Sequence, residues 1–356
     1  MFVVLGAGVC AAQQQPKVSN AKVSIIDGAS VQAAIARVDQ PTWIGYAIAV
    51  TSPVNSNWNE SKDYLEGNRP EEDRYERPAG APQPWANVLL RVAGGRVQRV
   101  QLEDPERELD CGGLSFEWVN GVSAADSVKL LSGIVEAESK LYTTGEDGKI
   151  VEPRRSQLER AMVAIALEDS PLVTPALRGF TAASYPLRIR DRAAFWLANS
   201  RGTEGFQVVS SLLKNDKDDA LREKLVFDLT LVKGASKPAA LDDLLAAAKN
   251  DPTPKVRSQA QFWLSQIAGK KVEAAAGADP RILETLGDEA QSDPNASIRK
   301  SAVFALSRLP EDQGVPKLIE VANTSTDPAT RREAIFWLGR SKDPRALEYL
   351  EKIVKQ

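Results

Sequence analysis

The chain has 356 residues, a formal net charge of -3 and no histidine. That length exceeds one ordinary compact domain and suits a small domain followed by a repeat array. The acidic balance argues against an electrostatic footprint for nucleic acid or an anionic membrane. The missing histidine removes Ser-His-Asp and Cys-His catalysis and most zinc hydrolase sites.

Residues 1–22 read as a signal-like segment and tether. The run MFVVLGAGVCAAQQQ has the apolar stretch and small-residue zone of a secretory signal, without a basic start. The expectation is export to the periplasm or cell envelope, and a cytoplasmic location if the run is no signal. There are two cysteines, Cys10 and Cys111, and cleavage near Cys10 to Gln13 would leave Cys111 as the mature thiol. No other stretch approaches the ~20 apolar residues a membrane span needs.

A small β-rich α+β domain is expected over 23–122. Apolar spacing predicts a short helix from Val31 to Val38. Ile44, Tyr46, Ile48 and Val50 then alternate with Trp43, Gly45, Ala47 and Ala49, the mark of a strand apolar on both faces. Residues 51–84 are polar, charged and rich in Pro and Asn, and read as a long mobile loop. Gly94-Gly95, flanked by apolar residues, predicts a tight hairpin. Leu114, Phe116 and Trp118 alternate inward, completing a small antiparallel sheet. The acidic stretch Glu103 to Gly113 reads as a solvated loop carrying a half-buried Cys111, without calcium-loop spacing. Ser123 is placed to cap the next helix, within a connecting helix and loop over 123–154.

From 155 to 356 the chain becomes an array of about six helical hairpins. Phe195, Phe227, Phe262, Phe304 and Phe336 serve as anchors, spaced 32, 35, 42 and 32 residues apart. An arginine stands five before each: Arg190, Arg222, Arg257, Arg299 and Arg331. Ala193, Leu225, Ala260, Ala302 and Ala334 stand two before, and Leu197, Leu229, Leu264, Leu306 and Leu338 two after. A divergent earlier copy holds Ala161, Val163 and Ile165, with Leu158 replacing the arginine. Asp251-Pro252, Asp293-Pro294 and Asp327-Pro328 mark turns, where aspartate can cap a helix and proline fits its first turn.

At about 100° per residue, starting from Val256, Ala260 lies at ~40°, Leu264 at ~80° and Trp263 at ~340°. One face therefore carries them into the core, and Trp196, Trp263 and Trp337 are expected buried. Phe262 falls at ~240°, among polar neighbours. The five Phe positions thus form a ladder on the less buried side, sealed between repeats or open to a partner. Half-exposed, such a ladder would show roughly 400–600 Å² of apolar surface. The arginines flank the core seam, their heads within reach of Asp251, Asp293 and Asp327.

The frame VRSQAQFWL, IRKSAVFAL, TRREAIFWL resembles the first helix of a HEAT-like repeat of the kind shared with phycobilin lyase subunits. With LDCGGLSFEWVNGV before the repeats, the chain also resembles a group of secreted bacterial HEAT-repeat proteins without assigned activity. The resemblance implies a mainly α fold: an α-solenoid with a recognition face and usually no intrinsic catalysis. It transfers no ligand residues. The function expected is a non-catalytic protein–protein interaction scaffold or adaptor. Two alternatives are a lyase-like enzyme subunit cradling a small substrate and an envelope or carbohydrate-binding module read by the β domain. A protein partner is expected, without nucleic acid, cofactor, metal or integral membrane span.

Overall fold

The computed structural model describes residues 15–28, 30–54, 62–67, 83–144, 150, 151, 153, 156–269, 279–310 and 313–355. The signal-like run and most of the 51–84 stretch lie outside these residues. The chain divides into two compact units, Met1–Trp196 and Leu197–Gln356.

In the first unit, Ser30 caps α1 (Val31–Ala36) by accepting from the Ala33 amide. The strands are β1 (Lys17–Ser19), β2 (Val23–Ile26), β3 (Thr42–Ala49), β4 (Lys62–Tyr64), β5 (Trp85–Ala93), β6 (Arg96–Glu103), β7 (Glu108–Asp110) and β8 (Ser115–Val119). A five-stranded sheet has the order β2-β8-β3-β5-β6. The pairs β3–β5 and β5–β6 are antiparallel, the latter turning at Gly94 and Gly95 with φ of 55° and 67°, a left-handed pair that glycine adopts without strain.

The sheet is mixed rather than wholly antiparallel, because β8 runs parallel to both β2 and β3. Alternation fixes which side chains point inward but not strand direction. Three further expectations change here. Lys17–Ser19, read as tether, and Lys62–Tyr64, read as loop, flank β7 in a parallel three-stranded sheet. Leu65 enters the core beside Trp43, Leu89, Phe116 and Trp118. Cys111, expected half-buried in a solvated loop, is fully buried directly after β7. Strands of three residues carry too few alternations to be read from sequence, and long-range pairing creates them.

Ser123 caps α2 (Ala124–Ser139) by accepting from the Asp126 amide. A two-stranded pair, β9 (Thr143–Thr144) and β10 (Ile150–Val151), follows. The helices α3 (Leu158–Leu167), α4 (Val173–Phe180) and α5 (Leu187–Ser200) begin the array. Leu158, where the arginine is missing, is fully buried. The Gln157 side chain accepts from the Val100 amide, tying α3 to β6.

The second unit holds four hairpins after α6 (Gly202–Asn215): α7 (Asp219–Leu229) with α8 (Lys237–Asn250), α9 (Pro254–Gly269) with α10 (Pro280–Ser292), α11 (Ala296–Ser307) with α12 (Val315–Thr324), and α13 (Pro328–Leu338) with α14 (Pro344–Val354). The first helices α7, α9, α11 and α13 pack side by side in one layer, and α6, α8, α10, α12 and α14 form the second. Leu225, Ala260, Ala302, Ala334, Leu264, Leu306 and Leu338 are buried between them. The layers approach closely at two glycines. A Cβ on Gly205 would stand 2.0 Å from the Leu197 carbonyl oxygen, and one on Gly314 1.9 Å from that of Leu306.

Candidate functional site

The arginine positions act differently along the array. Arg222 sends Nε and Nη2 to the two Asp251 oxygens at 2.9 and 3.2 Å, and Nη1 to the Asp216 carbonyl at 2.8 Å. Arg257 repeats this with Asp293 at 2.7 and 3.1 Å and the Asp251 carbonyl at 2.8 Å. Arg299 reaches one Asp327 oxygen at 3.1 Å, the Thr330 hydroxyl at 3.2 Å and the Asp293 carbonyl at 2.7 Å. Each guanidinium thus ties the turn before its own helix to the turn of the following repeat, and at Arg222 and Arg257 the contact has the bidentate geometry that makes Arg–carboxylate pairs strong.

The other two members of the frame sit in different surroundings. Arg190 is buried and donates to the Thr181 carbonyl. Arg331 is exposed, and no carboxylate pairs with it among the described residues. The frame position is the same, but among the described residues no turn acid lies against it as Asp293 lies against Arg257.

The turn acids also divide their work. Asp327 caps α13, accepting from the Ala329 and Thr330 amides. Asp251 and Asp293 instead accept from the amides of Thr253 and Asn295, two residues on, and Asn295 caps α11. Burial alone would raise the Asp293 carboxyl, yet the Arg257 hydrogen bonds hold it below the usual range. Its neighbour Glu289 is pushed up by burial and by the Asp293 charge. The Thr330 hydroxyl and the Arg299 guanidinium hold Asp327 well below the carboxylate range.

The aromatic residues overturn one expectation. Trp196, Trp263 and Trp337 are half-buried, not core, and each touches its preceding Phe edge-on at 5.1 to 5.2 Å. In the second unit each Trp also meets the Phe of the preceding repeat: Phe227 to Trp263 at 4.8 Å and Phe304 to Trp337 at 5.3 Å. Consecutive residues are only about 100° apart, and an indole is long enough to reach across the helix surface toward its neighbour.

The Phe residues therefore form two clusters rather than one even ladder. Phe227, Trp263 and Phe262 make the first; Phe304, Trp337 and Phe336 make the second. The tryptophan position between them is Ala305, which is buried. Phe227 and Phe304 are half-buried, whereas Phe262 is 37% and Phe336 53% exposed. The two exposed rings together show about one ring's worth of surface, roughly 150–250 Å², less than an evenly half-exposed ladder would show. In the first unit, Phe195 is half-buried with the Arg192 guanidinium 5.4 Å from its ring centre.

Other ionisable groups lie inside the first unit. The Ser127 hydroxyl donates to Glu168 at 2.8 Å and meets the Tyr46 hydroxyl at 3.3 Å, all three groups buried. Burial pushes the Glu168 carboxyl up to about 7. Burial and the nearby Asp63 push Glu103 up to about 8, with Arg107 beside both. Sequence patterning gives no sign of these groups, since each is brought to its partner across more than one element. Among the described residues, no set of three or more Cys, Asp or Glu side chains is arranged to hold a metal ion, and no helix is long and apolar enough to cross a membrane.

Paired helices in two layers, tied turn to turn by arginine and aspartate, define the helical array as a HEAT-like repeat solenoid. Residues 283–356 match the family model described as HEAT repeats. Among solved structures, the chain is similar to the complex of CpcE and CpcF of phycocyanin lyase from Nostoc sp. (24% identity, 47% of this chain and 99% of that one, TM-score 0.35). It is also similar to human deoxyhypusine hydroxylase (16%, 63% and 90%, TM-score 0.28) and to computationally designed armadillo repeat proteins for modular peptide recognition (14%, 64% and 94%, TM-score 0.32). No curated protein matches the chain.

Proposed function

We propose that this protein is a non-catalytic interaction scaffold, and that the outward side of the first-helix layer in its second unit takes a protein partner. The exposure of Phe262 and Phe336 on that layer is the observation that carries the reading. A ring that only sealed adjacent repeats would be covered, as Phe227 and Phe304 largely are by the next repeat's Trp. Large apolar side chains left in water beside polar neighbours are typical anchors of protein interfaces. The signal-like run at the start of the sequence extends the proposal to an exported protein, which fractionation of the source cell tests directly.

Immobilised chain and its Phe262→Ser, Phe336→Ser double variant, which removes the two exposed rings, are compared for capture of proteins from the source cell. The reading expects capture to fall sharply while the melting temperature drops only modestly. A lowered melting temperature with undiminished capture sinks it, because the rings would then serve packing alone.

A further inference from the structure

The two aromatic clusters differ in their charged surroundings. On a helix, residues four before and four after a Phe lie on its own stripe. Around the first cluster those positions are Glu223, Leu231, Ser258 and Gln266, none of them cationic, and the two that precede a Phe are satisfied within the protein. Glu223 is paired with Lys255 at 2.7 Å, and Ser258 shares a hydrogen bond with Ser301 at 2.9 Å. Around the second cluster the same positions are Lys300 and Arg308 on the α11 side, and Arg332 and Arg340 on the α13 side.

All four cations are exposed, and none has an ion pair among the described residues. Arg340, just past the end of α13, holds its guanidinium 5.7 Å from the Phe336 ring centre. The opposing charge within this stripe is Glu333, whose carboxylate accepts from the Trp337 indole at 2.9 Å. The chain as a whole is acidic, so the cationic frame is a local departure rather than a reflection of overall composition.

We infer that Phe304, Trp337 and Phe336, framed by Lys300, Arg308, Arg332 and Arg340, form a docking surface for an acidic peptide segment of a partner protein that carries apolar side chains between its carboxylates. The assignment rests on the scaffold reading and names the partner's chemistry. Lys300 and Arg308 are separated by about 12 Å along α11 at ~1.5 Å per residue, and α11 and α13 pack about 8–10 Å apart. An extended peptide covers about 12 Å in roughly four residues. Acidic residues about four apart, with an apolar residue between them, thus match the cations while the apolar side chain meets Phe336.

Charge complementarity of this kind speeds encounter and fixes register, and the exposed ring supplies the desolvated anchor. A nucleic acid fits less well. The Trp337 indole has Phe304 tilted against it at 56° and Phe336 at 83°, so it offers no open parallel platform for a base, and Glu333 would repel a phosphate chain.

The test uses fluorescence anisotropy on the full chain. The probe is a labelled synthetic peptide of about a dozen residues, with Glu at every fourth position and Leu between. Its controls are the same peptide with Lys for Glu, the same with Ser for Leu, and a single-stranded oligo-dT. The Glu/Leu peptide is expected to bind best, and to weaken as salt rises. K300E/R332E should lower its affinity by about tenfold or more at an unchanged melting midpoint, as should F336S. K217E, at an exposed lysine in the turn before α7, should change nothing.

Equal or tighter binding of the Lys peptide, sensitive to F336S, overturns the acidic assignment but leaves the scaffold reading standing. Tighter binding of oligo-dT that is lost in K300E/R332E overturns it in favour of nucleic acid. Binding of none of the probes overturns it as well, and the scaffold reading fails with it only if the Phe262→Ser, Phe336→Ser variant also captures proteins as the natural chain does.

Discussion

Arg257→Ala offers the sharpest test of how the repeats are held together, because Arg331→Ala changes the same frame position with the opposite expectation. Arg257 is 8% and Asp293 4% exposed. The guanidinium makes two hydrogen bonds to the carboxylate and one to the Asp251 carbonyl. Truncation leaves Asp293 buried with the Asn295 amide and the neighbouring Glu289. Breaking a buried pair from one side costs about 3–5 kcal/mol, mostly as the uncompensated charge. The orphaned Asp251 carbonyl adds about 1 kcal/mol if water does not reach it, and protonation of Asp293 offsets part of the total. A loss of about 3–5 kcal/mol is therefore expected.

Arg331→Ala should stay within about 0.5 kcal/mol, as surface substitutions do. Urea denaturation followed by circular dichroism reads both variants. Arg257→Met combined with Asp293→Asn should cost well under the sum of the single changes, with a coupling of about 1–3 kcal/mol. Equal losses for the Arg257 and Arg331 variants, or additive behaviour in the cycle, would refute the argument that the pair joins successive repeats.

Three further outcomes are expected. The folded carboxyl of Glu168 ionises at about 7 against 4.5 in the unfolded chain. The native state thus keeps a proton that the unfolded chain releases, so this group's contribution is full below 4.5 and is lost as pH rises to about 7. The loss is about 3 kcal/mol at ~1.4 kcal/mol per pH unit, and Glu168→Gln should flatten that slope in melts taken between pH 5 and 8. Gly314→Ala should destabilise by at least about 1–3 kcal/mol, since its Cβ would collide with backbone rather than a movable side chain; a neutral result in urea denaturation would show that the layers can part. Cys111, its thiol pushed up to about 12 by burial, should resist alkylation by iodoacetamide in the native chain and react on unfolding; rapid native labelling would contradict its place in the core.

The repeat array was legible because its information is local and reiterated. One frame of Arg, small or apolar residue, Phe and Leu, five times over, specifies a helix, its buried side and its turn, and each hairpin meets chiefly its neighbours. The same frame could not show that Trp337 lies against Phe304, since helical phase assigns a direction and not a reach. Nor could it distinguish Arg257, which finds Asp293, from Arg331, which finds no such turn. Their sequence contexts match, and only the presence of a packed turn within reach separates them.

In the first unit the balance is reversed. Alternation in β3 and the Gly94-Gly95 turn determined strands and a hairpin, because a period of two and positive φ are properties of single segments. The parallel placement of β8, the short strands at Lys17–Ser19 and Lys62–Tyr64, and the meeting of Tyr46, Ser127 and Glu168 were decided by tertiary structure. Each joins residues far apart in the chain, where pairing and burial outweigh any local preference. Sequence alone set the repeat helices, β3 and the hairpin; the packed chain decided which of the recurring side chains are sealed and which, at Phe336, remain open to water.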